Sequence, residues 1–539
     1  MKKRNLLLAL VSGVLLALAM PRPGIWLMSW IGFAPLLVAI RGERPTRAAI
    51  YGLITGAVYF GIVLFWISLF GYLPWAAAAV FQGLYFAAFA LVSSKLMPER
   101  VGWKSYVTVP AAWTALQWVR SLGPFGFTWG SMAHSQAANL PMVQSAAIAG
   151  PWVIDFLVCM FNVAVAGICS NSKAMYFLSL GERIKVRAQC HSEDTLSTSP
   201  QPSPLRRQRF RRKCESPQER ELLGMAVVII IVLAVWGAGY IALRTAPAAH
   251  PRTRIAIIQG NMDQDVVPDI NYLASAFVRY SEMSREAAKQ GADFIVWPET
   301  TLPVAINSSD WGTLLSALAQ RTGSNYIIGA YDASDDSSMP LSYNGAHFYS
   351  RSGKKLGVYH KARLVPYGEY VPLRKQMPFL KRYRIREQDV LAGKSHGLMR
   401  SEIGKVGVSI CFESLFPQVS RIETRNGARV LFIITNDGWF QRTAAARQHL
   451  MMAQLRAIEN RRYVVRGAAT GISAVIDPHG RIVRELGIYR QGTVMARVSA
   501  LGGFTPYALM GDWFAYLCAV ITLVFYSLAL VDSKTSRGK

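Results

Sequence analysis

Three polar residues follow apolar runs of the chain, and their types suit nucleophilic catalysis. Glu299 lies in FIVWPET, Lys361 in VYHKARLVPYGEYVP and Cys411 in VGVSICFES. A free thiol has a pKa of about 8.5, so a cysteine nucleophile needs a base to take its proton or a cation to stabilise its thiolate. Glu299 suits the base. Lys361 suits the cation, and together with the backbone N–H of Phe412 it would stabilise the oxyanion of a tetrahedral intermediate.

Each of these signals also has an ordinary structural explanation. A single cysteine at the end of a strand is more often a small core residue than a nucleophile. A glutamate after a proline is more often a solvated turn residue, and Lys361 lies beside His360 and Arg363 in what could be a charged loop. The residues alone therefore leave the triad as one hypothesis among several.

The elements that would position these residues belong to a layered α/β domain, which we place at residues 245–511. Apolar, β-branched runs alternate there with helical patterns. The sequence predicts strands at 254–259, 293–298, 325–330, 345–350, 406–411, 430–435 and 474–477, and helices at 272–290, 310–321 and 444–462.

The rest of the chain predicts a multi-pass α-helical membrane domain. Of the 539 residues, 52% are apolar and the mean hydropathy is +0.22, and about twenty apolar residues cross a bilayer. About eight stretches qualify: 5–20, 25–40, 48–70, 75–96, 105–120, 143–170, 222–243 and 512–531. The first six form a domain at 1–170, and the last two form single spans at 222–244 and 512–531. A cleavable signal peptide ending near Met20 is the alternative for the first stretch.

The net charge is +27, and the placement of the basic residues indicates the topology, since Lys and Arg are retained on the cytoplasmic side of short loops in membrane proteins. Basic residues occur at 2–4, 41–47 and 100–104, in the low-complexity insertion 171–221 and in the tail 532–539. This alternation leaves 245–511 outside the cytoplasm. The insertion has the composition of a disordered cytoplasmic segment, and a role for Arg206–Lys213 in binding RNA or anionic lipid is the alternative.

Cysteine and histidine usage argues against disulfides and metals in the α/β domain. Cys411 is the single cysteine of residues 245–511, so it has no partner there for a disulfide. The eight histidines form no HxxxH motif, and there is no CxxC pair or glycine-rich phosphate loop. We therefore predict no cofactor and no metal.

The motifs WPET, YHKARLVPYGEYVP and ICFES, in this order, resemble the nitrilase superfamily. WTALQWVRS, GFTWG and HSQ in the helical part extend the likeness to the membrane-embedded apolipoprotein N-acyltransferase family, over most of the chain outside 171–221. The resemblance implies an αββα sandwich, with Glu299 as general base, Lys361 as electrostatic stabiliser and Cys411 as nucleophile. Glu369 and Glu413 match two further acidic positions, and Glu413 would alternatively be a structural carboxylate that orients the nucleophile loop.

The family resemblance implies an acyl transfer in two steps, located at the bacterial inner membrane. Cys411 takes an acyl chain from a phospholipid as a thioester, and the N-terminal amine of a diacylglyceryl-cysteine apolipoprotein then accepts it. The residues themselves suggest two further roles. Arg120 is a candidate for binding the phospholipid phosphate, with snorkelling at a helix end as the alternative. The apolar loop 371–380 is a candidate for shielding the thioester or contacting lipid, with ordinary core packing as the alternative. The alternatives are a membrane-tethered amidase or nitrilase-type hydrolase that uses water, and a ligand-binding membrane protein that functions without Cys411. No nucleic acid is expected as a partner.

Overall fold

The chain consists of an N-terminal helical region and an α/β domain followed by a final helix. The computed structural model describes residues 2–97, 101–170, 217–246, 251–262, 269–334, 342–372, 376 and 389–535. Most of the basic insertion and most of the loop 371–380 lie outside these residues. Residues 217–221, which we assigned to the insertion, begin a helix that runs from Pro217 to Arg244.

Five helices in the described residues are long and apolar enough to cross a membrane. They are Pro45–Val63, Tyr72–Leu96, Trp152–Cys169, Glu221–Arg244 and Trp513–Val531. The predicted count of about eight is not confirmed, because several predicted stretches form shorter helices. These shorter helices are Lys3–Leu18, Ser29–Gly32, Ala34–Ile40, Ser105–Val119 and Ala146–Ala149. Two further short helices, Met132–Ser135 and Leu140–Val143, lie wholly or mostly between the predicted stretches.

The stretch 143–170, predicted as one helix, is interrupted at Gly150 and Pro151. Gly150 has a φ of 70°, in the left-handed region that glycine adopts without steric cost. Proline has no N–H to continue a helix and is favoured near the start of a new one. The helix therefore ends at Ala149, and the next begins at Trp152.

Ion pairs join three separate segments at one end of the helical region. Lys2 lies 3.0 Å from Glu43, and Arg47 lies 3.8 Å from the same carboxylate. Arg41 lies 3.9 Å from Glu221, at the start of the helix that follows the insertion. The N-terminus, the loop at 41–47 and the end of the insertion therefore lie on one side of the bundle.

The α/β domain contains two six-stranded sheets. The strands are β1 Thr253–Gln259, β2 Phe294–Ala305, β3 Asn325–Ala333, β4 Ser342–Tyr349, β5 Lys355–His360, β6 Leu398–Ser401, β7 Gly404–Ile410, β8 Val430–Thr435, β9 Val464–Ala468, β10 Ser473–Ile476, β11 Ile482–Leu486 and β12 Gly492–Val498. The orders are β12-β1-β2-β3-β4-β5 and β11-β10-β9-β8-β7-β6. In each sheet three central strands are parallel (β1, β2 and β3; β7, β8 and β9), and the outer pairings are antiparallel.

The two sheets pack face to face with helices outside, which gives the αββα sandwich that the family resemblance implied. Alternate side chains of each strand point to opposite faces, so Ile255 and Ile257 join the core between the sheets, whereas Ala256 and Ile258 face the helices. Helices Ile270–Lys289 and Trp311–Thr322 cover the first sheet. Pro417–Arg425 contacts β7, and Ala445–Asn460 covers the outer face of the second sheet.

One hydrophobic core joins the helical region to the α/β domain. It includes Trp129 and Met132 from the helical region, and Leu415, Phe416 and Phe440 from the α/β domain. Hydrogen bonds cross the same boundary, from the Trp129 indole to Gln448 and from the Thr128 hydroxyl to the Leu415 carbonyl. The α/β domain is therefore packed against the helical region as well as connected to it by the chain.

Candidate active site

The three predicted catalytic residues lie at the ends or irregularities of strands from both sheets. Lys361 directly follows β5, and Cys411 directly follows β7. Glu299 lies inside β2, where the pairing with β3 shifts between Trp297 and Leu302. Gly329 of β3 permits this irregularity, because a Cβ there would lie 2.1 Å from the Pro298 carbonyl oxygen and 2.6 Å from the Glu299 Cα.

Lys361 is the centre of a buried cluster of charges. Its ammonium lies 3.0 Å from Oε1 of Glu299 and 3.0 Å from the carboxylate of Glu369. The Asn344 amide donates to the same two carboxylates at 2.7 and 2.9 Å. The other Glu299 oxygen accepts a hydrogen bond of 2.7 Å from the Asn436 N–H, which follows β8 of the second sheet. Glu299 is therefore held from both sheets.

The charges in this cluster perturb one another in directions that suit nucleophilic catalysis. Burial alone would lower the pKa of the Lys361 ammonium, but Glu299 and Glu369 outweigh it and hold that pKa well above its usual value. Burial would raise the pKa of Glu369, yet Lys361 and the hydrogen bonds to the carboxylate hold it below its usual value. Lys361 is therefore an ammonium and Glu369 a carboxylate at neutral pH.

Glu299 and Lys361 act on the Cys411 thiol in opposite directions. Burial raises the pKa of the thiol, Glu299 raises it further, and Lys361 acts to lower it. The resting cysteine is consequently a neutral thiol that is within the electrostatic influence of both Glu299 and Lys361. Transfer of its proton to Glu299 would remove the carboxylate charge and leave the Lys361 charge to stabilise the thiolate.

Cys411 begins a short 3₁₀ helix, Cys411–Leu415, which we call the nucleophile turn. Its φ of 50° lies in the left-handed region, a conformation that costs a residue other than glycine about 1–3 kcal/mol and persists only where the surroundings hold it. Phe412 lies in the first turn, where backbone N–H groups have no acceptor within the helix. Its N–H is thus suited to the oxyanion role that we predicted for it.

Glu413 holds the nucleophile turn in place. One carboxylate oxygen accepts hydrogen bonds from the Tyr359 hydroxyl and from the N–H groups of Ala362 and Arg363, at 2.7, 2.8 and 3.0 Å. The other accepts from the Ile410 N–H at 2.8 Å. These contacts tie the residue before Cys411 to the residues after Lys361, in agreement with the structural alternative for Glu413. Glu369, by contrast, directly contacts Lys361.

Arg120 lies away from this cluster, and its contacts do not support binding of a lipid phosphate. Its side chain is 1% exposed. The guanidinium donates to the side chains of Gln117 and Gln82 and to the carbonyls of Phe127, Thr128 and Trp129. The N–H groups of the guanidinium therefore all point to acceptors within the protein. It shapes the GFTWG loop, which in turn contacts the nucleophile turn.

Several polar residues at the site were missed by the sequence analysis. Asn344 contacts both carboxylates from within β4, while Asp437, His449 and Arg466 form a buried group behind the nucleophile turn. Asp437 could have been noticed, because only Asn436 separates it from the end of the apolar strand β8. The others lie inside elements, where nothing local marks them.

Metal binding has no support in the ranges that the structure describes. Among those residues, no group of three or more His, Cys, Asp or Glu side chains could hold a metal ion. The prediction that the protein needs no cofactor stays a prediction.

Two protein families match successive parts of the chain. The apolipoprotein N-acyltransferase N-terminal domain matches residues 12–164, in the helical region. The carbon-nitrogen hydrolase family matches residues 254–507, which include the whole charge cluster and the nucleophile turn.

Curated relatives match both parts together. The apolipoprotein N-acyltransferase of Geobacter metallireducens is 30% identical, over 98% of this chain and 95% of its own length. The protein of the same name from Gloeobacter violaceus is 28% identical, over 99% of this chain and 95% of its own length. Among solved structures, yeast Nit3, from branch 10 of the nitrilase superfamily, is 20% identical over 46% of this chain and 90% of its own, with a TM-score of 0.37.

The relatives share both the helical region and the α/β domain with this chain, in the same order and over nearly the full length. By this extent of similarity, the chain belongs to the apolipoprotein N-acyltransferase family.

Proposed function

We propose that the protein transfers an acyl chain from a membrane phospholipid to the N-terminal amine of diacylglyceryl-cysteine apolipoproteins, through a thioester on Cys411. The observation that carries this proposal is the placement of Cys411 beside a buried carboxylate and a buried ammonium, in a chain that matches acyltransferases along almost its full length. The names of the relatives support an apolipoprotein as the acceptor. The charge cluster around Lys361 supports a thioester on Cys411.

In the first half of the reaction, Glu299 takes the proton of the Cys411 thiol. The thiolate attacks the carbonyl carbon of a phospholipid ester, and the Lys361 ammonium and the Phe412 N–H stabilise the resulting oxyanion. The ester C–O bond then breaks, and the proton on Glu299 goes to the departing oxygen. A lysophospholipid leaves, and the acyl chain remains on sulfur.

In the second half, the amine of the acceptor attacks the thioester carbonyl. Glu299 again accepts a proton, this time from the attacking nitrogen, and returns it to the sulfur as the C–S bond breaks. The product is an amide, and Cys411 is restored. Division of the transfer into two steps means that the two lipid substrates need not react with each other directly.

The membrane helices suit a reaction between two lipid-anchored substrates. Candidate spans, Glu221–Arg244 and Trp513–Val531, flank the α/β domain on both sides, which would hold the active site near the bilayer surface. We propose an inner-membrane location with residues 245–511 on the extracytoplasmic side. The clustering of basic segments at one end of the bundle supports this orientation under the positive-inside rule.

The experiment that tests this function is intact-protein mass spectrometry of the purified protein after incubation with phospholipid alone. We expect an acyl adduct that neutral hydroxylamine removes, together with released lysophospholipid. The Cys411→Ala variant should carry no adduct. If wild-type protein forms neither adduct nor lysophospholipid, the acyl transfer is refuted. An adduct that water discharges as fast as an apolipoprotein peptide does would instead favour a hydrolase.

A further inference from the structure

A helix that contributes no residue to the charge cluster contacts the backbone carbonyl of Cys411. Every residue of this helix, Ala445–Asn460, is buried except Arg447. His449 of the helix places Nε2 2.8 Å from the Ser414 hydroxyl oxygen and 3.3 Å from the Cys411 carbonyl oxygen. The Ser414 hydroxyl in turn lies 2.8 Å from the same carbonyl. The carbonyl of the nucleophile is therefore engaged by two side chains.

The other side of the His449 ring is fixed by a buried ion pair. Nδ1 lies 3.1 Å from one carboxylate oxygen of Asp437, whose second oxygen accepts a hydrogen bond of 2.8 Å from Arg466. Burial acts to raise the pKa of Asp437, but Arg466 and His449 hold it well below its usual value. Asp437, His449 and Arg466 are each at most 2% exposed, so solvent does not compete for these contacts.

The ring of His449 is also packed by the helical region. The Trp129 ring lies 5.7 Å from it, and the Trp129 indole donates to Gln448, the preceding residue. The position and orientation of the imidazole relative to the nucleophile turn are thus fixed. Both ring nitrogens contact groups outside the charge cluster, and the Asp437 carboxylate in addition raises the pKa of the Cys411 thiol.

We infer that His449, oriented by Asp437 and Arg466, is a positioning residue that fixes the left-handed backbone of Cys411 so that its sulfur is placed for attack. The inference rests on the acyl transfer proposed above. A nucleophile displaced by about 1 Å can react about 10²-fold more slowly. Loss of the contact to the nucleophile turn therefore slows thioester formation without weakening the binding of the donor.

Two substitutions separate the two nitrogens of the ring. The amide of Gln in His449→Gln reaches the position of Nε2 and keeps the contact with Ser414 and the Cys411 carbonyl. The amide of Asn in His449→Asn reaches only the position of Nδ1 and keeps the contact with Asp437. Gln454→Met is the matched control, because Gln454 lies on the same helix and donates instead to the Gly480 carbonyl.

The measurement is the rate of thioester formation on full-length protein as a function of phospholipid concentration, with the melting temperature recorded for each variant. We expect His449→Asn to reduce the maximal rate about 10²-fold at an unchanged half-saturating concentration. His449→Gln should recover about tenfold of that loss at a similar melting temperature, and Gln454→Met should retain the wild-type rate. The inference would be overturned by equal rates of thioester formation in His449→Asn and His449→Gln. It would also be overturned if the loss of rate followed the loss of melting temperature in all three variants.

Failure of the proposed function would be recognised separately, because wild-type protein would then form no thioester at all. Alkylation of Cys411 by iodoacetamide requires no lipid and tests the positioning in that event. A slower alkylation in His449→Asn than in His449→Gln supports the inference, whereas equal alkylation rates in both variants refute it.

Discussion

Replacement of Glu299 by glutamine should change two properties of Cys411 in opposite directions. Glu299 is the proposed base, and a positioned base contributes about 10²–10⁴-fold to the rate. The same carboxylate raises the pKa of the thiol, whereas Lys361 lowers it. Glu299→Gln should therefore slow thioester formation from phospholipid by about 10²–10⁴-fold, while it makes the thiolate of the resting protein easier to form.

The size of the second effect follows from the charge that the substitution removes. After burial, Glu299 is the largest cause that raises the pKa of the Cys411 thiol, and a neighbouring charge shifts a pKa by about one to three units. Each unit gives about tenfold more thiolate at a pH below the pKa. Because a thiolate of lower pKa is intrinsically less reactive, the net alkylation rate at fixed pH should rise by about threefold per unit.

The assay is iodoacetamide alkylation of Cys411 across a pH series, read by peptide mass spectrometry, beside thioester formation from phospholipid. Glu369→Gln is the matched control: Glu369 contacts the same lysine, but it is not among the charges that act most strongly on the thiol. The pH midpoint for alkylation should move down in Glu299→Gln and move less in the control. An unchanged or raised midpoint, or an undiminished rate of acylation, would refute the roles assigned to Glu299.

Three further perturbations test the surroundings of the nucleophile. Lys361→Met leaves two buried carboxylates without a cation, so it should destabilise the protein by about 3–5 kcal/mol. The loss would be measured as a lower melting temperature at fixed scan rate, and the double variant Lys361→Met, Glu369→Gln should recover part of it. The pKa of Glu369 is lower in the folded protein than in the unfolded chain. Its stabilising contribution is therefore present above the unfolded pKa of about 4.3 and is lost as the pH falls through the folded pKa. Glu369→Gln should consequently lose less melting temperature in acid than the wild-type protein does. Thr128→Val removes a hydrogen bond of 2.7 Å to the Leu415 carbonyl of the nucleophile turn. We expect the free energy of unfolding to fall by about 0.5–1.5 kcal/mol and thioester formation to be slower. An unchanged rate would contradict a contribution of the helical region to the site.

The parts of the fold that sequence predicted well are those with local signals. Strand β8 was predicted with the observed bounds, because an apolar, β-branched run of the right length ends at a polar Asn436. Strands β5, β6, β9, β11 and β12 were not predicted. All of these except β9 carry exposed and half-buried residues, so they lack the continuous apolar run that marked the central strands.

The same distinction applies to the active site. Glu299, Lys361 and Cys411 stood out because a polar residue after an apolar run is a local pattern. Asn344 and His449 did not, because their importance comes from contacts with residues far away in the chain. The role of Glu413 likewise depends on N–H groups that follow Lys361, and only the folded chain brings them to its carboxylate.

The packing of the nucleophile turn also bears on why the chain has so much of its length in helices. Two anchoring spans would be enough to hold an enzyme at a membrane, yet the loop that contains Thr128 and Trp129 contacts the nucleophile turn and the ring that supports it. Phe127 of the same loop stacks on Phe412, whose N–H we assign to the oxyanion site. The helical region thus forms one wall of the candidate active site. Substitutions in that loop should therefore change the chemistry at Cys411 as well as the attachment of the domain.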